Sequence, residues 1–189
     1  MSLLIDFCFF TIVGTVNPTT LAVTLSAPLL FGDNSGYGLS FAITGVSATQ
    51  YMLVYCTQPY TATIAPLYAV LVTATTSTGK PILLTQATAF SGFFVIGTFS
   101  LTALDSGDVV VAYLDGHTNS GVTCTLIAVN LNTGALLLGS QLSITVGASA
   151  VAYSKISLVT IGTGSQFMVM FFDLMVGKAA IGAIVQVQI

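Results

Sequence analysis

The sequence predicts an all-β fold made of 58-residue, four-stranded antiparallel repeats, and four observations lead there. One phrase is written three times at one interval: "QYMLVYC" from Gln50, "DVVVAYL" from Asp108 and "QFMVMFF" from Gln166. Thr, Val, Ile, Tyr and Phe, which fit a pleated and half-buried surface, recur throughout. Glu and Arg are absent and the only Lys residues are Lys80, Lys155 and Lys178, so most of the good helix formers are missing. Small polar turn residues fall at the same interval, as "SATQ" (47–50), "DSGD" (105–108) and "TGSQ" (163–166), and such residues suit tight hairpins.

The elements follow in order. "FCFFTIVG" (7–14) and "LAVTLSAPLLF" (21–31) fall on the third and fourth strands of a unit, with Cys8 matching Cys124 at twice the interval. A full unit over 35–89 opens on "SGYGLSFA" (35–42), crosses the first turn into "YMLVYC", and continues through "APLYAVLV" (65–72) to "ILLTQATA" (82–89). A second over 93–145 runs from "FFVIGTFS" (93–100) through "VVVAY" and "TCTLIAVN" (123–130) to "LLLGSQLSIT" (136–145). A partial unit over 151–189 holds "VAYSKISL", "FMVMFF" and "IGAIVQVQ" as strands one to three. Thr44, Thr102 and Thr160 coincide at the interval, as do Tyr55, Tyr113 and Phe171. The whole chain reads as one repetitive β domain, 1–189, with partial repeats at 1–31 and 151–189.

A four-stranded antiparallel unit recurring in this way resembles a β-propeller blade. The second strand is apolar in both phases, as a strand must be when its sheet is packed on both faces. The resemblance implies sheets stacked against one another around an axis. It lies in pattern and turn positions, not in a family motif: the chain has no Trp and therefore no Trp-Asp signature.

The repeat frame leaves the terminal units incomplete. Strand edges rich in apolar residues invite pairing with another chain. The sequence marks Phe7, Phe9, Ile12, Leu21 and Val23 at one end, and Ile184, Val185 and Val187 at the other, as candidate assembly edges. Strand addition between subunits supplies main-chain hydrogen bonds and buried side chains together. A head-to-tail contact that does not close gives a filament.

Composition excludes some classes and leaves others thin. Charged residues make up 5 % of the chain and the net charge is −3, so no basic surface exists to neutralise nucleic-acid phosphates. Uncharged stretches are broken by Asn17-Pro18-Thr19-Thr20 and by recurring Gly, Pro and Thr, and no run reads as a spanning helix. An outer-membrane barrel needs lipid-facing and lumen-facing residues in alternation, which strands apolar in both phases do not give. The N-terminal "MSLLIDFCFF" lacks a basic segment and carries Asp6, so it reads as part of the fold and not as a signal peptide. Cys8, Cys56 and Cys124 are odd in number; they are expected to be small buried residues, with one disulfide as the alternative.

The densest polar cluster is Asp105, Asp108, Asp115 and His117. Asp and His together suit metal binding or acid–base chemistry, but the first two belong to the first turn and the last two to the second, at opposite ends of the strands. Turn capping is the expected role, with Asp105 and Asp108 the candidates for weak Ca²⁺ binding. Asp115 and Asp173 occupy equivalent positions and read as Asx-type turns. No nucleophile elbow or phosphate loop occurs, and the chain has one His, so no enzyme activity and no cofactor are expected. The Thr run 73–81 and Thr57, Thr61 and Thr63 are candidate O-glycan positions or plain strand and turn residues.

The sequence therefore points to a structural subunit, extracellular or at a cell surface. It would associate with copies of itself through open strand edges into a fibril or layer. The alternatives are a propeller-type module holding a glycan or protein in its second-turn loops, at Tyr60, His117 and Asn119, or a segment of a larger propeller.

Overall fold

The fold is given by a computed structural model, which describes residues 9–31, 37–58, 64–74, 81–83, 88–95, 99–114, 122–144, 156–162, 164–173 and 179–186. The described residues form strands joined by turns, with no helix. Every strand pairing among them is antiparallel.

The chain opens with a hairpin. β1 (Phe9–Thr11) pairs with β4 (Leu29–Phe31), and β2 (Gly14–Val16) pairs with β3 (Val23–Leu25). The first sheet orders β5 (Tyr37–Gly45), β6 (Gln50–Gln58) and β7 (Ile64–Ala74), and then both β8 (Pro81–Leu83) and β9 (Thr88–Val95), which pair with opposite ends of β7. The second sheet is β10 (Ser100–Ala103), β11 (Val109–Leu114), β12 (Val122–Val129) and β13 (Leu136–Ile144). The third is β14 (Ile156–Thr160), β15 (Gln166–Asp173) and β16 (Ala179–Gln186).

The expected first strand at 93–100 is corrected here. Residues up to Val95 continue the outer strand of the first sheet, and the second sheet begins at Ser100. Ser91 and Gly92, which mark a break in the sequence, fall inside β9 where its register against β7 slips, which is why the interval alone misplaced the junction.

Register shows how far the repeat interval extends. The pair Gly45↔Tyr51 recurs one interval later as Ala103↔Val109, and Val109↔Ile127 recurs one interval later as Phe167↔Val185. The connection from β11 to β12 is shorter than that from β6 to β7. The turn from β14 to β15 is longer than its counterparts. A single repeat length therefore does not describe every strand.

The N-terminal hairpin is a copy of β12–β13, but at a spacing slightly shorter than two intervals. Val16↔Val23 corresponds to Val129↔Leu136 and Thr11↔Leu29 to Cys124↔Leu142, with the same slip in register between them. This places Thr11, not Cys8, opposite Cys124 in the frame. The two turns match bond for bond. Asn17 Oδ1 accepts from the Thr19 and Thr20 amides at 2.9 and 3.0 Å; Asn130 Oδ1 accepts from the Asn132 and Thr133 amides at 3.0 Å each. The Leu21 amide donates to Asn17 O at 2.8 Å, and that of Gly134 to Asn130 O at 2.7 Å. Both turns need a left-handed residue at the fifth position, with φ of 57° at Leu21 and 76° at Gly134. Only glycine adopts that region without a Cβ penalty. Gly134→Ala is expected to lower stability by about 1 kcal/mol, read as a shift in the urea midpoint.

The three sheets stack face to face. Met52, Val54, Cys56, Leu67 and Ala69 of the first meet Phe99, Leu101, Val109, Val111, Tyr113 and Ile127 of the second segment. The other face of the second sheet, with Val110, Ala112, Val122 and Cys124, meets Ile156, Phe167, Val169 and Phe171 of the third. Leu53, Tyr55, Val70 and Val72, on the outer face of the first sheet, pack with Leu29 of the hairpin. Strands apolar in both phases are thus explained: alternate residues of β6 and β11 serve different interfaces.

Cys56 and Cys124 are buried, reduced thiols in two of these interfaces. Burial pushes the Cys124 thiol from 9.0 up to about 12, because the thiolate would lose its hydration. The folded pKa lies above the unfolded one, so this contribution is fully present below about pH 9 and is lost as pH rises toward 12. Stability from this group should fall by up to about 1.4 kcal/mol per pH unit in that window, and Cys124→Val should remove that part of the slope in urea titrations.

Candidate interaction surfaces

The first turns are built by short polar side chains and tie neighbouring sheets together. Ser47 Oγ accepts from the Gln50 amide at 3.1 Å, and Ser106 Oγ from the Asp108 amide at 3.3 Å. Gln50 Nε2 then donates to Leu131 O at 3.1 Å, joining the first sheet to the β12–β13 turn. Asp108 Oδ1 accepts from the Val129 amide at 3.1 Å, and its Oδ2 from Ser106 Oγ at 2.9 Å. Asp105 Oδ2 accepts from the Gly164 amide at 2.7 Å, reaching the equivalent turn of the third sheet. Both carboxylates are thus engaged by turn groups. Among the described residues no group of three or more His, Cys, Asp or Glu side chains is placed to hold a metal ion. The loop candidates Tyr60, His117 and Asn119, and Asp115, lie outside the described residues.

The edge candidates divide. Phe7 and Val187 lie outside the described residues. Phe9 pairs with Phe31 through the backbone. Ile12, Leu21 and Val23 are exposed on the hairpin. Ile184 is exposed on the outer face of the third sheet, whereas Val185, next in the chain, turns inward against the second sheet.

Two exposed apolar patches end the stack, the first on the β5 side of a face whose other side the hairpin covers, and sequence reasoning looked at edges and missed them. At one end, Phe41 and Ile43 on β5 are 67 % and 54 % exposed. Their counterparts one interval later, Phe99 and Leu101, are 7 % and 9 % exposed, buried between the first and second sheets. At the other end, Val159, Met168 and Ile184 are directly opposed across β14, β15 and β16. Met168 and Met170 stand where Val110 and Ala112 stand in the second sheet, facing the next sheet in the stack. Met170 is 44 % and Ile184 69 % exposed. The signal that finds these faces is available in the sequence: strand residues apolar in both phases require a neighbour on each side. No helix among the described residues is long and apolar enough to cross a membrane.

No family model matches the sequence, and no curated protein matches it. Among solved structures the fold is similar to the NanB sialidase from Streptococcus pneumoniae in complex with an ethanesulfonate ligand. That match has a TM-score of 0.53 and 12 % identity and covers 80 % of this chain. A point mutant of the same sialidase matches with a TM-score of 0.55 and 12 % identity over 82 % of this chain. The chain spans 22 % and 23 % of those two chains. At this identity the likeness concerns fold alone: the chain has a propeller-like, all-β architecture of antiparallel sheets.

Proposed function

We propose that this chain is a structural, non-enzymatic module of propeller type that works by associating with copies of itself, outside the cell or at its surface. The supporting observation is the pair of exposed patches: Phe41 and Ile43 at one end, Met170 and Ile184 at the other, where the counterparts Phe99, Leu101 and Ala112 are buried and Leu126 is half-buried. Apolar surface of this kind gains roughly 25 cal/mol per Å² when it is covered. The low charge leaves little repulsion against close stacking. Association through open strand edges into a fibril is the extended form of the same reading. Sedimentation velocity over a hundredfold concentration range tests it. A sedimentation coefficient that rises with concentration is expected, and a single monomeric species throughout contradicts it.

The likeness to a sialidase fold favours a second reading, a glycan- or protein-binding module using the loops that carry Tyr60, His117 and Asn119. In that case substitutions at those residues abolish ligand retention without changing the mass of the particle.

A further inference from the structure

We infer that the two open faces pack on each other between two copies of the chain, head to tail, and that two copies close a six-sheet propeller. The inference rests on the self-associating reading above and names its partner and stoichiometry.

The occupant of each face follows from the internal repeat. Met52 and Val54 on the first sheet pack against the face bearing Phe99 and Leu101. Val110 and Ala112, their counterparts one interval later, pack against the face bearing Ile156 and Phe167. Met168 and Met170 are the next members of that series, so the surface that fits them is one of the kind that bears Phe99. Phe41 and Ile43 form the β5 part of that kind of surface and are exposed, while Leu53 and Tyr55 beside them are buried with Leu29 of the hairpin. The two patches are uncharged, so joining them leaves no buried ion without a partner.

Closure follows from the way the sheets step. The inner strands lie in series: β5 packs beside β10, and β10 beside β14. A β14 packing beside β5 of a second copy repeats the same step. The likeness to propeller chains covers 80 % of this chain, more than one sheet, so the relation between sheets is shared with a ring fold. Each copy contributes three stacked sheets. Two copies give six, inside the range of roughly four to eight blades that close. A head-to-tail contact that closes after two copies makes the ring axis a two-fold axis.

The test is the native mass of the full chain and of two variants, Phe41→Asp and Met170→Asp, each altered at an exposed residue. Circular dichroism confirms that both keep their β signal. The wild type is expected at twice the 19.5 kDa chain mass, and each variant alone at the chain mass. An equimolar mixture of the two is expected to recover a one-to-one complex, since one junction in it carries neither substitution. Larger assemblies that the same substitutions dissolve would overturn the two-copy ring while leaving self-association standing. A wild-type monomer at all concentrations would overturn both. A dimer that neither substitution weakens would place the contact elsewhere and overturn the assignment of these faces.

Discussion

Replacing Tyr113 with alanine is expected to lower the free energy of unfolding by about 3–5 kcal/mol, the range for removing a large buried side chain. Tyr113 is fully buried between the first and second sheets. Its ring fills that interface, and its hydroxyl lies 3.2 Å from Thr125 Oγ1 and accepts from Gln141 Nε2 at 3.0 Å. Thr125 is itself buried. Tyr113→Phe keeps the ring and removes that partner from Thr125, so it should cost about 1–1.5 kcal/mol. Urea denaturation of the two variants separates packing from hydrogen bonding. An alanine variant that loses under about 1 kcal/mol, far below the usual cost of such a cavity, would contradict the stacked-sheet arrangement.

Phe99→Ala and Phe41→Ala are expected to differ widely, although the same residue is removed at equivalent positions. Phe99 lies between two sheets, and its loss should cost about 3–5 kcal/mol. Phe41 lies on an open face, and in dilute solution its loss should change stability by about 0.5 kcal/mol or less. Its effect should appear instead as weaker self-association. Thermal melts at low concentration, paired with sedimentation at high concentration, read the two effects separately. Equal destabilisation by both changes would mean that Phe41 is covered within the chain.

Much of this architecture was legible before the structure. The repeat interval places β6, β11 and β15 correctly, and the turn residues Ser47, Ser106 and Asp108 fall where hairpins need them. Two features were hidden for different reasons. The run 88–95 carries Ser91 and Gly92, which read as a break between units, yet both lie inside one outer strand; pairing with β7 decides it. The kinship of "NPTTLA" (17–22) with "NLNTGA" (130–135) was present in the residues. An ungapped offset misses it because the β11–β12 connection is shorter than its counterpart. The turn chemistry of Asn17 and Asn130, acting within a single tight turn, is a better alignment guide there than hydrophobic phase. The open faces follow from the strand pattern, but only counting sheets against faces shows which ones lack a neighbour.

The most direct measurement is peroxide oxidation of the methionines, followed by peptide mass spectrometry across a concentration series. Sulfoxide formation tracks exposure of the thioether. Met52 is fully buried between sheets, whereas Met170 lies on the open face of the third sheet. In dilute protein Met170 should oxidise far faster than Met52, and at high concentration it should become protected while Met52 stays unchanged. If Met170 were as slow as Met52 at every concentration, its face would be covered within the chain. If it stayed reactive throughout, nothing would cover it, and the assembly built on these faces would be wrong.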